Sequence, residues 1–148
     1  MRKIQLTQNK FALVDAEDYN YLMRWKWRAH CGYKNLYYAV HDDILMHRLI
    51  MRATSDQMVD HINVNSLDNR KINLRFCTNA QNMMNQNPQQ RKTSSCYKGV
   101  CWDRVHKKWR AQIKRKYLGD FIDEVEAAKA YDKAALAMFG EFARTNFT

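Results

Sequence analysis

The chain has no Cys-x-x-Cys pair, and its four cysteines (Cys31, Cys77, Cys96, Cys101) are scattered. That spacing writes neither a zinc ribbon nor a disulfide framework, and it fits reduced thiols in a cytosol. No stretch approaches the roughly 18–20 uncharged apolar residues of a membrane span, and no apolar segment follows the two basic residues near the start. The expectation is a cytoplasmic protein with no membrane partner. Acids are the scarcer charge: 15 Asp+Glu against 25 Lys+Arg give a net +10 over 148 residues. This excludes an acidic binding protein and implies a polyanionic partner. There is one proline, Pro88, and no internal repeat.

What is present argues for a folded chain. Hydrophobic residues make up 46% and aromatics 12%, far above the content of a disordered basic tail. The length allows one ordinary domain or two small ones. Pro88 falls in a polar run over 85–95 without helical or strand period, and 88–94 reads as a linker. Charge is uneven across it. Residues 91–119 hold ten Lys/Arg and a single acid, Asp103, whereas residues 1–90 hold twelve basic and eight acidic residues.

Before the linker, 3–6, 11–14, 37–40, 59–62 and 74–77 read as short strands, and Asp15 caps a short helix carrying Tyr19, Leu22 and Met23. Thr78-Asn79-Ala80-Gln81 has the capping-box form and predicts a helix from Thr78 that carries Gln81, Asn82 and Asn85. The order over 59–85 is strand, loop, strand, helix. Past the linker, Trp109, Ala111 and Ile113 alternate with Lys108, Arg110, Gln112 and Lys114, the period of a strand with one buried and one ligand face. Asp123 opens a helix with the stripe Val125, Ala128, Tyr131, Ala135 and Met138, and Gly140 ends it. The fold class is α+β.

Asp60, His61, Asn73 and Asn82 fall on successive elements of the strand, loop, strand, helix unit. Asp60 and Asn82 offer a carboxylate and an amide oxygen, hard ligands that suit Mg²⁺ or Mn²⁺. His61 is the natural general base for a water attacking phosphorus, because imidazole titrates near neutral pH. Asn73 is placed to fix the tautomer of His61 by accepting from its other ring nitrogen.

The words Met46-His47-Arg48-Leu49, Val59-Asp60-His61-Ile62-Asn63-Val64-Asn65, Leu67-Asp68-Asn69-Arg70, Ile72-Asn73-Leu74-Arg75 and Thr78-Asn79-Ala80-Gln81-Asn82 resemble the HNH homing endonucleases of phages and mobile introns. The resemblance covers roughly 44–87. It implies a ββα-metal nuclease core there, behind a strand-rich N-terminal lead over 1–43, with Asp60 as first metal ligand and His61 as general base. It also implies Asn73 as the middle Asn and Asn82 as metal ligand in an HNN variant. His47, Arg48 and Arg75 are further candidates, the arginines for DNA phosphates. Val64 stands where the family usually has glycine, so the loop is expected to turn by using the flanking asparagines, which tolerate left-handed conformations.

The outward row Lys108, Arg110, Gln112, Lys114, followed by Arg115 and Lys116, suits duplex DNA, where a small sheet can lie in the major groove. Tyr97-Lys98-Gly99-Val100, Lys108-Trp109-Arg110-Ala111, Tyr117-Leu118-Gly119-Asp120-Phe121, Ala130-Tyr131-Asp132-Lys133-Ala134-Ala135 and Arg144-Thr145-Asn146-Phe147 resemble the ethylene-response-factor (Apetala-two) DNA-binding domain. That resemblance covers 95–148 and implies a three-stranded antiparallel sheet packed on one helix. Cys101 and Asp103 stand where the plant proteins carry base-reading arginines, so the plant recognition sequence does not transfer. Lys98, Arg104, Lys108, Arg110, Gln112, Lys114, Arg115 and Lys116 are the DNA-binding candidates. The leading expectation is an Mg²⁺- or Mn²⁺-dependent HNH endonuclease of phage or mobile-element type in a bacterial cell, nicking double-stranded DNA as a monomer or homodimer. A non-catalytic DNA-binding regulator is the alternative, and an RNA-binding accessory protein is a third reading.

Overall fold

The computed structural model describes residues 1–32, 36–86 and 94–147. The protein is mixed α/β, with several small antiparallel sheets and, among the described residues, four α-helices. It divides into two compact units, Met1–Asn79 and Ala80–Thr148. The linker expected over 88–94 lies outside the described residues except for Ser94. No described helix is long and apolar enough to cross a membrane.

In the first unit β1 (Arg2–Gln5) and β2 (Phe11–Val14) form a hairpin. Gln8 and Asn9 at its tip both have positive φ, the left-handed pair that matches the twist of the flanking strands. Helix α1 (Ala16–Leu22) follows, then the sheet β3 (Arg28–Cys31), β4 (Tyr37–His41) and β5 (Ile44–Leu45), with β4 central. The short helix α2 (Met46–Ile50) leads to the pair β6 (Met58–His61) and β7 (Leu74–Cys77). Ile4, Leu6, Ala12, Val14, Leu22, Trp27, Ala29, Ala39 and Met46 form one buried core. The N-terminal hairpin supplies four of these nine, Ile4, Leu6, Ala12 and Val14, where the sequence suggested only a lead. Asp15 sits at the start of α1 but makes no side-chain cap; its Oδ2 accepts from the Lys71 N–H at 2.8 Å.

Helix α3 (Asn79–Asn85) follows β7 with Thr78 between, and from Ala80 on it belongs to the second unit. There β8 (Val100–Asp103), β9 (Lys108–Ile113) and β10 (Lys116–Phe121) form an antiparallel sheet with β9 central. Helix α4 (Glu124–Phe139) packs on one face, capped by Asp123 Oδ1 on the Glu126 N–H at 3.0 Å. Gly99 (φ 77°) allows the closest approach: a Cβ there would lie 2.0 Å from Tyr131 Cδ2. The buried helix face is Ala127, Ala128, Tyr131, Asp132 and Ala135, while Met138 of the expected stripe is 45% exposed. Asp132 turns inward because its carboxylate accepts from the backbone N–H groups of Asn146 (2.8 Å) and Phe147 (2.9 Å) and from Asn146 Nδ2 (2.9 Å). Three donors meet the hydrogen-bonding need of a buried carboxylate and fix the tail on the helix.

Candidate functional site

The β6–β7 register sets Asp60 opposite Arg75 and His61 opposite Leu74. Asp60 and His61 are each 7% exposed. Arg75 donates to Asp60 Oδ2 through Nη2 (2.9 Å) and Nε (3.1 Å), a buried ion pair across the two strands. His61 Nε2 lies 3.3 Å from Asn69 Oδ1. The Asn69 amide is oriented by its Nδ2, which donates to the Leu67 carbonyl at 3.3 Å. That orientation presents an acceptor to His61, which favours the tautomer with the proton on Nε2 and leaves Nδ1 as the basic ring nitrogen. The His47 ring stands edge-on to His61 at 4.8 Å between centroids, and Tyr38 lies 5.9 Å from His47 and 6.4 Å from His61.

Burial lowers the His61 pKa, against the opposing pull of its hydrogen bond to Asn69 and the charges of Asp60 and Asp68. His47 is pushed down to about 3 by burial, then by His61 and Arg48. Both imidazoles are thus neutral at neutral pH, which is the state a proton acceptor needs. Tyr38 is raised by burial and by Asp60, so its hydroxyl keeps its proton.

The loop that carries Asn69 is held from several sides. Asp68 is 2% exposed, receives Arg70 through Nε (2.7 Å) and Nη2 (2.6 Å), and accepts from Asn63 Nδ2 (2.9 Å). Arg70 holds its carboxyl below the usual carboxylate range. The β2 backbone clamps the same loop: the Leu13 N–H donates to the Leu67 carbonyl and the Asn69 N–H to the Leu13 carbonyl, both at 2.8 Å. Ser66 Oγ donates to the Tyr37 carbonyl at 2.6 Å. Val64 itself adopts φ 65°, a strained conformation for a β-branched residue, where the sequence assigned the turn to its neighbours. The asparagines instead brace it, with the Asn65 N–H on Asn63 Oδ1 (2.8 Å) and the Leu67 N–H on Asn65 Oδ1 (3.1 Å).

Three candidates have other partners than expected. Asn73 does not hold His61: its Oδ1 accepts from the Asn63 N–H (2.9 Å) and its Nδ2 donates to the Asp68 carbonyl (2.8 Å), so it closes the loop on which Asn69 stands. Arg48 donates to the carbonyls of Gln57 (2.7 Å) and Thr54 (2.6 Å). Arg75 serves Asp60. Asn82 lies half-buried on α3.

In the second unit the outer sheet face is less uniformly cationic than the alternation suggested. Arg110, in the middle of β9, pairs with Cys101 on β8 and Asp120 on β10. Its guanidinium bridges Asp120 Oδ1 (Nε, 3.1 Å) and Asp103 Oδ2 (Nη2, 2.5 Å), and His106 Nδ1 lies 3.0 Å from the same Asp103 oxygen. Asp103, His106 and Asp120 are, among the described residues, the one set of carboxylate and imidazole atoms close enough to share a metal ion, all within 4.8 Å, and Arg110 reaches both acids. Arg104, Lys107 and Lys108 are exposed around one hairpin turn, and Lys114, Arg115 and Lys116 around the other, with Gln112 exposed on the strand. Lys98 departs from the expected role. Its Nζ donates to the carbonyls of Met84 and Gln86 at 2.9 Å each, at the C-terminal end of α3, where a cation complements the helix dipole.

Asn69, Tyr38, Asp103 as an acceptor and Asp120 were not among the sequence candidates. Asn69 lies inside the resembling words, but nothing in linear order says which of its neighbouring amides faces the ring. The acids around Arg110 come from two other strands and emerge only from the register.

The chain is 31% identical to an uncharacterized HNH endonuclease of Acanthamoeba polyphaga mimivirus, across 92% of this chain and 74% of that protein. That relative is viral and gives no support to a bacterial host. A segment covering 36% of the chain is 48% identical over 61 residues to the dehydration-responsive element-binding protein 2A of rice (Oryza sativa), spanning 22% of that protein. A span of 60 residues is 45% identical to the AP2-like ethylene-responsive transcription factor PLT2 of Arabidopsis thaliana and covers 11% of it. No protein-family model matches the chain. No solved structure matches it either. Identity extending over nearly the whole chain, with the buried Asp60-His61 pair and its braced loop lying inside it, places the protein in the HNH endonuclease family.

Proposed function

We propose that the chain is a metal-dependent DNA endonuclease of the HNH homing type, hydrolysing one phosphodiester per active site. The observation that carries this reading is the Leu67–Asn69–His61 relay, which leaves a buried, neutral imidazole with Nδ1 as its basic nitrogen. His61 Nδ1 takes the proton from the attacking water, and Asn69 stabilises the imidazolium that forms. The neighbouring carboxylate fits a divalent cation: Asp60 is buried, offers hard oxygens, and already meets a positive charge at Oδ2. Asp60 and, by its motif position, Asn82 would hold Mg²⁺ or Mn²⁺. Such an ion, when bound, stabilises charge on the phosphoryl oxygens and on the leaving oxygen.

The sheet of the second unit binds double-stranded DNA from its outer face. Arg104, Lys108, Lys114, Arg115 and Lys116 meet phosphates, and Arg110 and Gln112 face the groove. The likeness to plant DNA-binding factors and the net +10 support this. A monomer nicks one strand, and a double-strand break needs two chains or two events.

Supercoiled plasmid incubated with purified protein tests the reading. With Mg²⁺ or Mn²⁺ the wild type converts it to nicked circles, and with chelator it does not. Intact plasmid under both metals, together with tight duplex binding, would leave a non-catalytic DNA-binding regulator.

A further inference from the structure

The outer face of the β8–β9–β10 sheet has an acidic centre between two cationic rims. Arg104, Lys107 and Lys108 stand at one turn and Lys114, Arg115 and Lys116 at the other. β9, with six residues, separates the rims by about 20 Å at roughly 3.4 Å per residue. Between them, Asp103 and Asp120 carry two negative charges against the single cation of Arg110. A surface built only to attract phosphates has no use for two carboxylates at its middle, since they repel the backbone.

The carboxylates do have a use if Arg110 reads a base. We infer that Arg110 is the specificity-determining residue of this face, recognising guanine through its O6 and N7 edge, and that Asp103 and Asp120 are its positioning residues. This rests on the DNA-binding reading of the second unit. The guanidinium is held at two separate nitrogens by acids from the two strands flanking its own, and its carbon lies 5.6 Å from the Tyr117 ring centroid. His106 holds Asp103 from the turn, and its hydrogen bond is the largest of the influences that keep that carboxyl ionised down to about 2. Nη1 has no partner among the described residues, and Nη2 keeps a second hydrogen beside the one that faces Asp103, so the two can donate as a pair; the side chain is 34% exposed. A guanidinium already fixed in place loses little rotamer freedom on meeting a base, and its two parallel donors match guanine and no other base edge in the major groove. The acids also penalise docking on phosphate alone, so the centre reports sequence and the rims supply affinity.

The test is selection by the full-length protein from a duplex library with a random centre, without added divalent metal so that the DNA stays intact, followed by affinity measurements on the selected duplex. The wild type should enrich a sequence with a guanine at one position and discriminate against its replacement by about tenfold or more. Arg110→Lys keeps the charge but not the paired donors; it should bind the random pool within a few-fold of wild type and lose that guanine. Asp120→Asn should bind the random pool more tightly and weaken the guanine preference. A wild type that binds no duplex overturns the DNA-binding reading itself. A wild type that binds without enriching any sequence, or an Arg110→Lys protein that selects the same guanine, overturns the role of Arg110 and leaves DNA binding standing.

Discussion

The two units of this protein treat charge in opposite ways. In the first, the acids nearest His61 are buried and each has a counter-charge: Asp60 has Arg75, and Asp68 has Arg70. In the second, cations crowd the exposed hairpin turns, and on the sheet two acids from the flanking strands meet the single cation of Arg110. Buried pairing costs desolvation, and it fixes side chains where removing one partner leaves an uncompensated charge. Exposed cations are mobile and screened by salt, which suits contact with a polyanion at many positions. Under the proposed function, the contrast separates a place for chemistry from a surface for holding DNA.

The largest effect that would sharpen this contrast is on catalysis. His61→Ala should lower plasmid cleavage about 10²- to 10⁴-fold, the usual worth of a general base, and leave duplex affinity unchanged in a filter-binding assay. Next comes stability. Arg75→Gln leaves Asp60 buried without its counter-charge and should lower unfolding stability in chelator by roughly 3 kcal/mol, measured by chemical denaturation. Added Mg²⁺ should recover part of that loss, whereas the same change at Arg115 should lower stability by less than about 0.5 kcal/mol.

A smaller effect concerns pH. His47 is held neutral in the fold down to about 3 but takes up a proton near its ordinary pKa when unfolded. The unfolded chain therefore binds more protons between those values, and stability falls as pH drops below about 6.5, with a slope of up to about 1.4 kcal/mol per unit. His47→Leu should flatten that part of the stability profile. The smallest effect is Val64→Gly, which relieves a left-handed valine and should raise the midpoint of unfolding by the equivalent of about 1 kcal/mol. No change in stability would mean that the bracing asparagines already absorb the strain.

Much of the second unit was legible because its period was clean: β9 alternates as the sequence does, and α4 starts at Asp123 and ends at Gly140. The strand β3 was not, because in Arg28–Cys31 only Ala29 is buried and no apolar alternation exists to be seen. The site was half legible. Asp60 and His61 stand out as a pair at a strand end, yet the amide facing His61 is that of Asn69, and Asn73 lies only four residues later in the same loop. Which of two such asparagines meets the ring depends on where β2 pins the loop, through contacts more than fifty residues away in sequence. Arg110 looked like one more outward cation because its acids lie seven and ten residues off and become neighbours only when β8 and β10 pair with β9.

The division of labour is tested most directly by measuring cleavage and duplex binding side by side for wild type, His61→Ala, and a variant combining Lys108→Gln, Arg115→Gln and Lys116→Gln. His61→Ala should bind like wild type and cut about 10²- to 10⁴-fold more slowly. The rim variant should bind more weakly with a shallower salt dependence, by about 0.9 per lost phosphate contact, and still cut when protein is saturating. Equal loss of binding and cleavage in both variants, or full cleavage by His61→Ala, would contradict it.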